Sequence, residues 1–241
     1  MKSLVMFAFI LAILLVPAAR GGDADWQDIF ANGLNAFKTP HGDWTAVAGA
    51  RLDEKNPKKL LAQEGTGVYY NGPKGRTNNL LTKERYGDLE VHLEFLVPKG
   101  SNSGIKFHGH YEIQIEDSFG KKNLKGSDCG GVYPRADAKG KYTYLDNGIP
   151  PKVNACKPAG EWQAFDIIFL APRFDKDGKK IANARLPKVL FNGVVIHDDV
   201  ELLTPTGDRW RGPEMAQGPL MLQADHGPVA FRNLRIRPLK N

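Results

Sequence analysis

Apolar and polar residues alternate with a period of two over much of this chain, which is the spacing of a half-buried β-strand. The clearest run is Leu89-Glu90-Val91-His92-Leu93-Glu94-Phe95, whose leucines, valine and phenylalanine share one face. Phe165-Asp166-Ile167-Ile168-Phe169 predicts a second strand, entered through Trp162. Lys188–His197 contains Asn192-Gly193, the pair suited to the two positive-φ positions of a type I′ turn, and so predicts a hairpin. Pro219–Gln223 and Val229–Ile236 predict two more strands around a His226-Gly227-Pro228 turn. Helical signal is confined to Lys58–Ala62.

Two connections, Gly120–Pro158 and Thr204–Gly218, are rich in glycine and proline and exceed ordinary loop length. Long loops on a rigid scaffold tend to carry function. With no internal repeat and no interdomain linker, many short strands joined by turns predict an all-β fold. The expected form is a two-sheet antiparallel jelly-roll sandwich in a single domain over residues 23–241.

The N-terminus sits outside that pattern. Lys2 precedes an apolar run from Leu4 to Val16, followed by small residues before Asp23. A bilayer-spanning helix needs about 20 apolar residues. Residues 1–22 are therefore expected to be a cleaved signal peptide, making the protein secreted or periplasmic and free of the membrane once cleaved. The formal charge of +6 becomes +4 without Lys2 and Arg20, and its basic residues are interspersed with acidic ones. Nucleic-acid binding calls for a concentrated basic face, so that class of partner is excluded. Cys129 and Cys156 are the only cysteines. In an oxidising compartment they are expected to pair, a cross-link able to contribute about 3 kcal/mol; two free buried thiols are the competing reading.

The chemistry concentrates in Asn102–Asp117. Strand alternation puts Tyr111, Ile113 and Ile115 on one face and Glu112, Gln114 and Glu116 on the other. Three polar side chains in a row suit a sugar groove, and equally an ordinary wet sheet face. One sharper reading pairs Glu112 with Glu116 as the acid and base of a retaining glycosidase. Glu-Ile-Gln-Ile-Glu resembles the Glu-x-Asp-x-Glu strand of concanavalin-like β-glucanases, with Gln114 in place of the aspartate. The two Cα atoms would stand about 13 Å apart, against a carboxyl spacing of about 5–5.5 Å in retaining enzymes. A second reading takes His108, His110 and Glu112 as ligands of a divalent metal ion, although Gly109 invites a turn that would scatter them. His226, beside Asp225 in a turn, can pass protons near neutral pH.

Asn102-Ser103-Gly104, Tyr111–Gln114, Asp128–Tyr133, Lys157–Gln163, Ala171–Asp175, Val189–Asp198, Gly218–Gln223 and Asp225–Asn233 occur in order along the chain. Together they resemble the 3-keto-disaccharide hydrolase domain family, over nearly all of the mature chain. The resemblance implies a concanavalin A-like jelly roll and activity on carbohydrate oxidised at C3. A C3 ketone acidifies the hydrogen on C2, so a base can remove it, the C1 substituent can depart, and water can complete net hydrolysis. Such a site needs a base, a stabiliser for the enolate oxygen and an acid for the leaving group.

Carried over by position, Glu112, His226 and Asp117 are the catalytic candidates, with His226 or Glu112 as base. Asn102, Lys106, His108, Gln114, Tyr133, Trp210 and Arg232 are the sugar-binding candidates. Trp210 is suited to stacking on a sugar, and Arg232 is explained as well by packing in its strand. Family members commonly carry an apolar residue at the position of Glu116 and arginine at that of His110. Both the glucanase pair and the metal trio would thus be particular to this chain. The rivals from other classes are a lectin-like carbohydrate-binding module and the conventional glucanase.

Overall fold

The computed structural model describes residues 25–137, 143–207 and 212–240. The segment read as a signal peptide and Trp210 lie outside the described residues. The alternating run becomes the strand Leu89–Leu96, with Leu89, Val91, Leu93 and Phe95 buried. It is central in an eight-stranded antiparallel sheet, flanked by Gln163–Leu170 on one side and Ala230–Pro238 on the other. The predicted hairpin is the pair Ala184–Phe191 and Val194–Leu202, with Asn192 at φ 50° and Gly193 at φ 80°. Lys58–Ala62 departs from expectation: Leu60 opens an 11-residue strand ending at Tyr70. Pairing with Thr45–Leu52 satisfies that backbone, which overrides a weak local preference.

The second sheet has four strands, in the order Leu80–Leu81, Met221–Leu222, Asn102–Phe107 and Tyr111–Glu116. Its last edge is covered rather than bare, because Gln114 and Tyr133 donate backbone N–H groups to Gly131 and Glu112, and Gly130 donates to Gln114. Among the described residues the one helical element is a single 3-10 turn, Gly33–Ala36. The architecture is the expected sandwich of antiparallel sheets.

Between the sheets lies an aromatic core. Phe95, Phe165 and Phe191 cluster with ring centroids 4.8–6.0 Å apart. Phe107 of the small sheet stacks on Phe169 of the large one at 4.6 Å. Burying each such ring contributes about 2–3 kcal/mol. That contact fixes the hairpin formed by Asn102–Phe107 and Tyr111–Glu116 against the scaffold. Its inward residues are locked, so its outward residues are held in place.

Cys129 and Cys156 are both buried and both free, so the expected disulfide is not formed here. The Cys156 thiol donates to Lys157 O at 3.5 Å. Burial pushes the Cys129 thiol well above its ordinary value, while the influence of Cys129 lowers Cys156.

Candidate active site

The register of the hairpin builds the site. Lys106 lies directly opposite Glu112, and opposed residues of an antiparallel pair share a face. Met221 opposes Lys106 on its other side, and Leu81 opposes Met221. One row across four strands therefore runs Leu81, Met221, Lys106, Glu112, and all four line a cavity of about 540 Å³. Asn102 and Gln223 extend the floor, Tyr133 and Tyr144 form a wall, and Asp225 and His226 stand on a turn beside it.

At the floor, Lys106 Nζ lies 2.8 Å from Glu112 Oε2. The Glu112 side chain is 3% exposed and that of Lys106 14%. Burial raises the Glu112 pKa; the Lys106 charge and its hydrogen bond oppose that rise, and His226 opposes it more weakly. A carboxylate held above its ordinary range is a stronger base than a solvated one. Gly207 stands over the pair, with the position of a Cβ 3.6 Å from both Glu112 Oε2 and Lys106 Nζ. Its φ of 61° suits glycine, and its N–H donates to Pro134 O at 2.9 Å. Thr206 fastens this strap to the hairpin by accepting from Glu112 N at 2.9 Å and donating to His110 O at 3.1 Å.

On the turn, His226 Nδ1 is 2.6 Å from Asp225 Oδ1, and both side chains are about half exposed. The carboxylate accepts from Nδ1, which leaves Nε2 for a ligand. Across the cavity the Tyr133 and Tyr144 hydroxyls are 2.6 Å apart, their rings 6.0 Å apart and steeply inclined.

Of the residues expected from the sequence, Glu112, His226, Asn102, Lys106 and Tyr133 come together around this one cavity. Gln114 is on the same sheet face, one row along, and is buried with both amide atoms unpartnered. Asp117 is elsewhere: its N–H donates to Ser101 O, and its carboxylate accepts from Gly100 N at 3.1 Å in a turn beyond the strand. Arg232 is on the outer face of the large sheet, paired with Glu94 at 2.7 Å and lying 4.1 Å over the Trp162 ring.

The metal trio is not assembled. His108 and Gly109 both take positive φ, 56° and 70°, and make the tight turn between the two strands. The His108 ring then packs edge-on against Phe169 at 5.1 Å and bonds Met215 O, on the core side, while Glu112 faces the cavity. Among the described residues no group of three or more His, Cys, Asp or Glu side chains is placed to hold a metal ion. Nor do Glu112 and Glu116 form a glucanase pair. Glu116 bonds Ser118 and Lys121 outside the cavity.

The family model for the 3-keto-alpha-glucoside-1,2-lyase-like domain matches residues 25–237. The chain belongs to that family. Among solved structures, a "putative glycosyl hydrolase" from Parabacteroides distasonis is 26% identical, with a TM-score of 0.60 over 90% of this chain and 84% of its own. A second protein of the same description and organism is 20% identical, with a TM-score of 0.57 over 89% of this chain and 99% of its own, a likeness of fold. No curated protein sequence is similar enough to count as a relative. Membership of the 3-keto-alpha-glucoside-1,2-lyase-like family makes this a glycosyl hydrolase-like domain.

Asn79, Tyr144, Gln223 and Asp225 line the cavity without having been singled out from the sequence. Asp225 carried a signal in its position next to His226. Tyr144 carried none, because it sits in a long irregular connection without periodicity.

Proposed function

We propose that this protein cleaves glycosides oxidised at C3, by eliminating the C1 substituent and then admitting water. The observation that carries the reading is the buried Lys106–Glu112 ion pair at the floor of a sugar-sized cavity, with His226–Asp225 on its flank. Glu112 takes the proton from C2, and the electron pair is delocalised onto the C3 oxygen as an enolate. Lys106 holds that oxygen by charge and hydrogen bonding, strongly because both groups are largely out of water. When the enolate collapses, C3=O re-forms, a C1–C2 double bond appears and the C1–O bond breaks. His226 Nε2 delivers a proton to the departing oxygen, with Asp225 holding the ring by Nδ1. Addition of water across the new double bond gives net hydrolysis.

A lectin has little use for a carboxylate pushed above its ordinary pKa, since recognition does not require proton transfer. The test is release of aglycone from a chromogenic glucoside and from its 3-keto derivative, side by side. Release from the 3-keto compound alone, lost in Glu112→Gln and His226→Ala, supports the reading. Binding without cleavage of either would return the protein to the lectin class. Lys2 and the apolar run from Leu4 to Val16 support a further part of the reading, export with cleavage after residue 22; the N-terminal residue of protein recovered outside the cytoplasm tests that.

A further inference from the structure

The cavity over Lys106 and Glu112 continues into a neighbouring basin of about 430 Å³. Three residues, Asn79, Leu81 and Asp225, belong to the walls of both. Each lobe falls in the range of about 300–1,000 Å³ usual for small-molecule sites. The banks of the second lobe are Lys38-Thr39-Pro40 and Thr77-Asn78-Asn79.

These banks are built rather than merely adjacent. Asn78 Nδ2 donates to Pro40 O at 3.0 Å, and Trp44 Nε1 donates to Asn78 O at 2.8 Å. Lys38 N donates to Leu81 O at 2.8 Å, and Thr77 N to Ala224 O at 3.0 Å. The second lobe is thus fixed to the same Ala224–His226 turn that carries the acid candidate of the first. Its lining of hydroxyls and amides over the apolar Leu81 and Pro40 suits the polar edge and apolar face of a sugar ring. Asn79 spends Oδ1 on Ala224 N at 2.7 Å, which leaves its Nδ2 for a ligand crossing the seam.

We infer that the basin bounded by residues 38–40 and 77–79 is a second sugar subsite, holding the departing sugar of a disaccharide whose oxidised ring lies over Lys106 and Glu112. The inference rests on the reading proposed above. It has a directional consequence: Asp225 is at the seam and His226 belongs to the first lobe only, so the imidazole stands beside the glycosidic oxygen of a ligand spanning both. The protein then reads two rings, and a small aglycone leaves the second lobe empty.

Lys38 and Thr39 are exposed, so their replacement leaves the core untouched. Thr39→Trp fills the second lobe, and Lys38→Ala opens it. The substrates are methyl 3-keto-glucoside and a panel of 3-keto disaccharides made from trehalose, sucrose, lactose and cellobiose. For the unsubstituted protein, kcat/KM on the best disaccharide is expected to exceed that on the methyl glycoside at least tenfold. Thr39→Trp is expected to reduce that ratio at least tenfold, mainly through KM, and Lys38→Ala to reduce it less. A ratio near one in the unsubstituted protein, or one unmoved by Thr39→Trp, overturns the inference.

If nothing is cleaved, the catalytic reading has failed, and the subsite is decided by calorimetry with the unoxidised disaccharides and glucose. Tighter binding of a disaccharide that Thr39→Trp abolishes upholds the second subsite. Equal affinities, or no disaccharide binding, removes it.

Discussion

Gly104 makes room for Glu112: a Cβ built on Gly104 would lie 2.3 Å from Glu112 Oε1 and 3.1 Å from its Cδ. The glycine serves side-chain space here, because it lies in a regular strand across from Gln114. Gly104→Ala is expected to push the Glu112 carboxylate off Lys106 while leaving the sheet intact. The displaced group is the flexible end of a side chain, so the stability cost stays within about 1–3 kcal/mol. kcat on a 3-keto glycoside should fall at least tenfold, with the circular dichroism spectrum unchanged. A variant with full activity would show that the carboxylate need not be held where it is.

The acidic limb of activity should follow Glu112. A base acts when deprotonated, so kcat/KM rises with pH through its pKa. Burial raises that pKa and Lys106 opposes the rise. Lys106→Met removes the opposition, so the limb moves to higher pH while the plateau drops through loss of the enolate partner. A limb that stays in place would mean that another group governs it.

Acid should destabilise the fold before its ordinary carboxylates protonate. His108, His110 and His197 are buried, and burial lowers all three pKa values, that of His110 to about 4. A depressed histidine binds its proton more readily unfolded than folded. Its contribution is present above the unfolded value near 6.5 and is lost as pH falls toward the folded one. For His110 the loss approaches about 3 kcal/mol between pH 6.5 and pH 4. Urea unfolding across that window should show a falling midpoint, and His110→Gln should flatten part of the slope. A midpoint independent of pH would contradict the assignment.

Two ion pairs of similar length should differ in worth. Asp88 is buried, takes both Arg173 terminal nitrogens, at 2.8 and 2.5 Å, and also accepts from Ala171 N at 2.8 Å. Asp88→Ala strips three bonds from one place and should cost about 3 kcal/mol or more. Asp199 meets Arg185 at 2.6 Å in the open. Asp199 also holds a φ of 57°, which asparagine tolerates, so Asp199→Asn removes the charge alone and should leave the melting temperature within experimental error. Similar melting temperatures for the two variants would show that burial does not set their value.

Period-two alternation was enough to place Leu89–Leu96, Gln163–Leu170 and Ala230–Pro238, since each buries one face against the same core. Leu60–Tyr70 escaped because its middle residues are exposed and offer no alternation to read. Glu112 and Lys106 were separately visible, but their pairing depends on a hairpin register set by the His108-Gly109 turn. Asp117 and Arg232 share short motifs with the site residues yet end up outside the cavity. A motif fixes neighbours along the chain, whereas convergence in space depends on which sheet and which face each strand joins. The second lobe was invisible for that reason, as its two banks are separated by some forty residues of sequence and joined by hydrogen bonds.

Cys129 and Cys156, whose buried thiols influence each other's ionisation, bracket the stretch of chain that carries both Tyr133 and Tyr144. A bond between those sulfurs would turn the stretch into a closed ring, with the tyrosine pair on its circumference. The aromatic flank of the cavity would then be hung between two fixed posts. Its freedom to draw back from a bulky sugar would depend on the electron balance of the surroundings as well as on sequence.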